Sequence, residues 1–422
     1  MNIYFFFRAK YHGFILFCLL ILFVEPVFQK LTDPSLFGDS YNVFGFDRLK
    51  TNLIMIISFI IISMFNPNRI KLPIKYFWKI NRFIVVVCVF HIFNVLFSAN
   101  IYNSIALTIV GIIGPIIFFY IILSLPRHFF HQNHNLTRTI LVSSIGFLTI
   151  GLFMYLHSIG KNINLNTNIL RTGGLLWLSN ISTQVLAFFF PFIFYPLKTK
   201  NSFLIRITAI VLFLVLIVVS MSRTALAVYS IMIFTILLKQ KNRFQFIFLG
   251  VTIIMMALYL TEIWFEINIV ELYSNRFFRT GDTMQTIQDD ARLKIYLESL
   301  EIIEGREMMG TGISTFGDLN KMGWSNAHNI FINILVERGL IGLILFVGFI
   351  IFYFKNIVKE YKNLNQNNAE SLFIYLIGVG LLGFILIGMT GNDLFLNSGF
   401  ITGWPMYISL FLLAIVLKKK NI

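Results

Sequence analysis

The sequence predicts an all-α polytopic membrane protein with about 12 transmembrane helices and one large outer loop that contains short helices. Of the 422 residues, 57% are hydrophobic and only 13% are charged, and the mean hydropathy is +0.79. A soluble domain usually carries about 45–50% apolar and about 25% charged residues. Apolar runs of about 17–25 residues, which can cross a bilayer, recur along the chain. These values argue against a soluble enzyme, a disordered protein or a nucleic-acid-binding protein.

Twelve apolar runs are expected to span the membrane. They lie near residues 12–28, 50–65, 83–98, 104–125, 139–157, 174–197, 206–221, 224–238, 244–261, 329–354, 370–389 and 399–417. No small-residue cleavage site follows the first run, which we therefore expect to remain in the chain. The tenth run contains Glu337, Arg338 and Gly339, so it is either a full span or an interfacial helix that bends into a shorter span.

The chain accordingly divides into three parts: residues 1–261 with helices 1–9, an outer loop over 262–328, and residues 329–422 with helices 10–12. The distribution of charge sets the orientation. With both termini in the cytoplasm, cytoplasmic segments hold 21 of the 34 lysines and arginines but only two of the 19 acids. The net charge of +15 is therefore a positive-inside signature, with contact to anionic membrane lipids as an expected addition and no nucleic-acid partner.

The outer loop, residues 262–328, is the segment in which we expect the functional site. Its 67 residues include 11 acids and six basic residues, and loops of this length usually have a function. The cytoplasmic loops contain no Gly-rich phosphate motif and no acidic cluster. Three histidines in one cytoplasmic loop, at 128, 131 and 134, lack cysteine or acidic partners and are interpreted as a solvated loop, so no metal is expected.

Arg223 is the first candidate for anion binding. It lies in the turn Ser222-Arg223-Thr224 between two apolar spans, on the outer side. A charge near the bilayer is costly and usually has a partner or a function. The alternative is an interfacial arginine that extends its guanidinium to water, although such arginines favour the cytoplasmic side.

Arg292 is the second candidate. An apolar repeat at helical spacing predicts a helix here: Leu293, Tyr296, Leu297 and Leu300. Asp290 is its expected N-cap and Gly305 its expected C-terminal stop. Arg292 then lies in the first turn, where it either pairs with Asp289 or Asp290, or binds an anion beside the free helix N–H groups. Arg276 and Arg279 are candidates of lower rank, for which the favoured interpretation is interfacial anchors beside Phe277 and Phe278.

His328 is the candidate general base. It lies on the outer face in Asn326-Ala327-His328-Asn329, just before the tenth apolar run. Imidazole titrates near neutral pH and can accept the proton of a sugar hydroxyl. The alternative is a histidine that only caps or packs.

Together these features resemble the O-antigen ligase/polymerase family of bacterial envelope glycosyltransferases. The resemblance covers roughly residues 200–400 and rests on four segments: SRTA at 222–225, ARLKIYLESL at 291–300, Gly310-Thr311-Gly312, and SNAHNIFINILVERGLIGL at 325–343. The last is the most specific. His328-Asn329, nine residues and then Gly339-Leu340-Ile341-Gly342 fit the pattern of the ligases.

The resemblance implies glycosyl transfer at the periplasmic face of the bacterial inner membrane, within lipopolysaccharide biosynthesis. The donor would be a glycan on undecaprenyl diphosphate and the acceptor lipid A-core or another glycan. By matching position, Arg223 and Arg292 would contact the donor diphosphate, His328 would activate the acceptor hydroxyl, and Asn329 would contact substrate. Arginine forks suit phosphate oxygens. The resemblance further implies metal-independent transfer without a cofactor.

Several alternatives remain open from the sequence. Within the family, a repeat-unit polymerase and a protein O-oligosaccharyltransferase share the same pattern, and we favour the ligase. Outside the enzymes, a flippase for lipid-linked glycans would place ionisable residues near the middle of the membrane. The predicted spans hold few of these, chiefly His91 and His157. A non-catalytic envelope scaffold is the remaining alternative.

Overall fold

The computed structural model describes residues 74–109, 119, 137–149, 183–196, 202–239, 291–364, 369–389, 413 and 416, with one-residue gaps at 139, 143, 147, 185, 221 and 325. All regular secondary structure in these residues is helical, as predicted. The elements are α1 (Ile74–Val95), α2 (Ile101–Thr108), a 3-10 helix (Phe190–Phe194), α3 (Ser202–Ser220), α4 (Arg223–Leu237), α5 (Ala291–Ile303), α6 (Phe316–Leu319), α7 (Ile330–Asn363) and α8 (Ala369–Gly388).

α8 lies at the centre of the described core. It packs against α4, α7 and the 3-10 helix. Aromatic rings from the segment before α3 fill one side of this core. Phe188 packs against Phe384 in a tilted arrangement with 4.5 Å between ring centroids, and Phe192 packs against Phe373 at 5.3 Å. Gly380 permits this close packing, since a Cβ there would lie 2.8 Å from the carbonyl oxygen of Phe188. Small residues at helix contacts are typical of membrane bundles.

Two described helices, α7 and α8, are long and apolar enough to cross a membrane. Large apolar side chains on α1 and α3 are exposed, among them Phe93 at 56% and Phe203 at 75%. In water such faces would be unfavourable, whereas facing lipid tails they carry no such cost. The described helices therefore fit a membrane protein. The predicted spans near 12–28, 50–65 and 244–261 lie outside the described residues.

The predicted span 174–197 is not one continuous helix in its described part. Residues 183, 184 and 186 are helical, a turn follows at 187–189, and the chain then forms the short 3-10 helix Phe190–Phe194. Pro191 stands at the start of this element, where its missing N–H matters least. The hydrophobic run predicted one transmembrane span, but apolarity alone does not distinguish a straight helix from a buried turn.

α7 is broken at Gly339, where the backbone has φ 63° and ψ −171°. The sequence left open whether this run spans directly or bends, and the structure shows a bend. The part from 340 to 363 is about 36 Å long at about 1.5 Å per residue, which suffices for a hydrocarbon core of about 30 Å. The part from 330 to 338, at about 13 Å, is too short to cross.

Residues 304–315, here called the docking loop, satisfy the backbone groups that this break frees. The N–H groups of Thr311 and Gly312 donate to the carbonyls of Val336 and Glu337 at 2.9 and 2.8 Å. In the opposite direction, Leu340 N–H donates to the carbonyl of Glu307 at 2.7 Å. Within a membrane each unsatisfied backbone group would cost several kcal/mol, so the loop is part of what makes the break tolerable.

The other edge of the docking loop binds α1, α2 and the turn between them. Asn94 Nδ2 donates to the carbonyl of Met309, and the Ala99 N–H donates to that of Thr311 at 2.8 Å. Ser104 Oγ donates to the carbonyl of Ile313 at 2.9 Å. The loop thus connects α1, α2 and the turn between them to the break in α7.

Candidate active site

His328 occupies a constrained position two residues before α7. Its backbone has φ 52°, in the left-handed region, which costs an L-residue roughly 1–2 kcal/mol. Asn326 Oδ1 accepts a hydrogen bond from the His328 N–H at 2.9 Å, and Asn333 Oδ1 accepts one from the Ala327 N–H at 3.1 Å. The ring of Trp324 meets the imidazole edge-on at 5.1 Å between centroids. Backbone strain held in place by neighbouring side chains is often found at functional sites.

Asn329 is the N-cap of α7. Its Oδ1 accepts hydrogen bonds from the N–H groups of Phe331 at 2.9 Å and Ile332 at 3.3 Å. Such a cap typically stabilises a helix by about 0.5–2 kcal/mol. The His-Asn pair therefore consists of a candidate base followed directly by the N-cap of α7. The predicted role of Asn329 in substrate binding stays a prediction, and the structure adds a capping role.

Arg292 lies in the first turn of α5, as predicted, and its side chain is exposed. α5 packs on α7 through a small apolar cluster formed by Ile295, Phe316, Ala327 and Val336. Since Ala327 precedes His328 directly, this cluster fixes the start of α5 and the candidate base to one support. Gly305, with φ 74°, follows the end of α5 and confirms the predicted stop.

The face of α5 that packs is not the one that carries most of its leucines. The apolar repeat that predicted the helix is largely exposed, with Leu293 at 42%, Leu297 at 57% and Leu300 at 59%. Ile295 and Ser299 are buried instead. Periodicity showed that the segment is helical, but it could not show which face the rest of the chain covers.

Arg223 is the first residue of α4, and Ser222 is the N-cap, whose Oγ accepts a hydrogen bond from the Ala225 N–H at 3.3 Å. The sequence motif at 222–224 is thus a helix start directly after α3. α4 packs on α8, and α8 packs on α7. The contribution of Arg223 to diphosphate binding remains a prediction.

The three predicted catalytic residues share one local setting, since each lies at the beginning of a helix. Arg223 is the first residue of α4, Arg292 the second of α5, and His328 precedes the N-cap of α7. Helix N-termini carry unpaired N–H groups and a partial positive charge. Such ends favour an anionic substrate or leaving group.

Arg276 and Arg279 lie outside the described residues, as do Asp289 and Asp290. The pairing of Arg292 with these aspartates therefore stays an open alternative.

One acidic group of the docking loop has a perturbed pKa: the backbone N–H groups of Glu307 and Gly305 lower the pKa of the Glu307 carboxyl. That carboxylate accepts the Gly305 N–H at 2.8 Å and stabilises the turn after α5.

Sequence reasoning overlooked several residues that shape the site. Trp324, Asn326 and Asn333 orient the backbone and ring of His328, and the signal that could have identified them is their spacing of a few residues from it. Glu337 and Arg338 were interpreted only as an interruption of the tenth span. Both are fully buried at the break, with Arg338 Nη2 and Glu337 Oε2 3.9 Å apart.

The described helices are consistent with a membrane protein, and the predicted catalytic residues lie at or next to the starts of three of these helices. Residues 208–347 match the model of the O-antigen ligase family, so the predicted resemblance is confirmed. The matched segment contains all three predicted catalytic residues. It supports glycosyl transfer of the O-antigen ligase/polymerase type in general, with lipid-linked glycans as substrates. A comparison with curated proteins finds no match.

Proposed function

We propose that this protein is a metal-independent glycosyltransferase of the O-antigen ligase type. It takes a glycan from undecaprenyl diphosphate at the periplasmic face of the inner membrane and joins it to lipid A-core. The observation that carries the proposal is the presentation of His328, in a strained and well-supported backbone, at the start of α7 within the matched segment. Arg223, the first residue of α4, and Arg292, in the first turn of α5, are the proposed diphosphate contacts.

The reaction needs one proton acceptor and one anion-binding region. An acceptor hydroxyl attacks the anomeric carbon of the donor, and its proton passes to His328 as the new C–O bond forms. The bond between the anomeric carbon and the diphosphate oxygen breaks, and undecaprenyl diphosphate leaves with the electron pair. Arg223 and Arg292 stabilise the negative charge that develops on this leaving group, which is the larger contribution expected of such a site.

The test is a strain that lacks this chain, with the envelope glycan and the glycan on undecaprenyl diphosphate each sized on a gel. Long polymer retained on the lipid carrier, together with bare core, is the expected result for a ligase. Single repeat units on both carrier and core would indicate a polymerase instead. Unchanged glycan on core and carrier would contradict glycosyl transfer.

A further inference from the structure

A cleft between α5 and the chain after α6 has the features of a second substrate-contact site. Its volume is about 340 Å³, at the small end of ligand pockets, which are about 300–1,000 Å³. The lining side chains mix acid, base and apolar groups: Glu298, Glu301, Ile302, Glu304, Arg306, Leu319 and Lys321. None of these residues is part of the proposed catalytic group.

Glu298 gives the cleft a buried polar atom without a partner. This side chain is only 6% exposed. Its Oε1 accepts a hydrogen bond from the Lys321 N–H at 2.5 Å, whereas no described residue donates to the buried Oε2. A buried oxygen left in that state is costly, and a carboxylate accepts hydrogen bonds only. A ligand that donates a hydroxyl proton to Oε2 would remove this cost.

The adjoining residue Asn320 offers the complementary atom. It is 8% exposed, and its Oδ1 accepts hydrogen bonds from the N–H groups of Met322 and Trp324 at 2.8 and 3.3 Å. Its buried Nδ2 donates to no described residue. Asn320 lies in the chain between the lining residues Leu319 and Lys321. A hydroxyl both donates and accepts, so a hydroxyl-rich ligand suits an acceptor such as Glu298 Oε2 and a donor such as Asn320 Nδ2.

The charge of the cleft argues against a phosphate group as the ligand. Three of its lining residues are glutamates and two are basic. At the entrance, Lys321 Nζ and Glu301 Oε2 lie 3.9 Å apart and both side chains are strongly exposed. Exposed ion pairs of this kind contribute only about 0–1 kcal/mol to stability, so an entering hydroxyl group can separate the two side chains. Ile302 and Leu319 supply apolar surface for the C–H face of a sugar ring.

The same segment connects the cleft to the candidate base. Residues 320–328 begin with the Lys321 N–H bound to Glu298 and reach Trp324, whose ring contacts that of His328. A sugar in the cleft would therefore contact the same chain segment that leads to His328. We propose that this cleft is a saccharide subsite in which Glu298 accepts a hydroxyl hydrogen bond from the donor or the acceptor glycan. This inference rests on the proposed function.

The experiment uses the full chain in lipid nanodiscs and two probes: the glycan released from the host's own lipid carrier by mild acid, and the host's core saccharide. Binding of each is measured by saturation-transfer NMR, and KM is measured for the lipid-linked donor and for the acceptor separately. Glu298→Gln retains an acceptor for Lys321 N–H while placing an NH₂ group at one oxygen. Glu307→Gln, outside the cleft, is the charge-matched control, and Leu319→Trp fills the cleft without touching Glu298.

We expect Glu298→Gln and Leu319→Trp to weaken binding of one saccharide and to raise its KM about tenfold, the value of one hydrogen bond to a charged group, with kcat little changed. The probe whose KM rises identifies the source of the glycan. Unchanged KM for both substrates in both folded variants would overturn the subsite and leave the proposed function standing. Glu298-dependent saccharide binding without any transfer would support the subsite and overturn the proposed function.

Discussion

Replacing Gly310 by alanine tests whether the docking loop holds the break in α7. Gly310 and Gly305 both have φ 74°, so alanine at either incurs the same left-handed strain, about 1–2 kcal/mol. Their surroundings differ. A Cβ on Gly310 would lie 2.5 Å from backbone atoms of Glu337, Arg338 and Gly339, whereas a Cβ on Gly305 would meet nothing within 4 Å. Gly305→Ala is therefore the matched control.

The expected difference follows from the displacement that the new Cβ requires. Ordinary Cβ contacts begin near 3.4 Å, so the loop has to move by roughly 0.9 Å. Three hydrogen bonds across the break, now 2.7–2.9 Å long, would exceed bonding distance; their donors are Thr311, Gly312 and Leu340. At about 1 kcal/mol each, Gly310→Ala should lower the free energy of unfolding by about 3 kcal/mol more than Gly305→Ala.

The assay is unfolding of the purified protein by SDS titration in mixed micelles, with transfer activity measured on the same samples. Because the docking loop supports the break in α7, the helix that begins just after His328, we expect Gly310→Ala to lose activity together with stability. Gly305→Ala should lose little activity. Equal free energies of unfolding for the two variants would refute the idea that the loop supports the break.

Three further predictions concern the site and its placement. Asn329→Ala should lower the free energy of unfolding by about 1 kcal/mol through loss of the cap, and Asn329→Asp should preserve it; equal losses in a denaturation series would contradict the capping role. Arg292→Ala should raise the KM for the lipid-linked donor or lower kcat, with Arg292→Lys intermediate because a single ammonium replaces a bidentate fork; unchanged kinetics would exclude a role in diphosphate binding. Met322 is 48% exposed, so Met322→Cys in a chain whose own cysteines have been replaced tests the topology. This cysteine should react with an impermeant maleimide in cells whose outer membrane is permeabilised. Protection of the cysteine until the cells are lysed would reverse the proposed topology.

Local patterns in the sequence predicted much of the architecture. The apolar runs near 206–221, 224–238 and 370–389 correspond to α3, α4 and α8 within a few residues, because a long apolar run bounded by polar residues specifies a membrane helix almost by itself. Gly305 predicted the end of α5 for an equally local reason. The placement of Arg292 in a first turn followed from the same signals.

Contacts between distant segments could not be predicted in this way. The docking loop binds α7 through backbone groups about 25–33 residues apart in the chain, and backbone hydrogen bonds leave almost no trace in side-chain identity. Glycines such as Gly310 and Gly339 were local signs of this contact, since the two backbones approach closely at each. The burial of the Glu298 carboxylate could not be predicted either. The leucine repeat of α5 suggested that the leucines face the rest of the chain and that Glu298 is exposed, whereas the leucines are exposed and Glu298 is buried.

The most direct test of the central claim compares purified wild-type protein with His328→Ala. Each is mixed with undecaprenyl-diphosphate-linked glycan and lipid A-core in nanodiscs, and both glycan transfer and donor binding are measured. Removing the base should abolish transfer while leaving donor affinity within about twofold, because the proposed diphosphate contacts remain. Substantial turnover by folded His328→Ala protein would contradict the proposed mechanism.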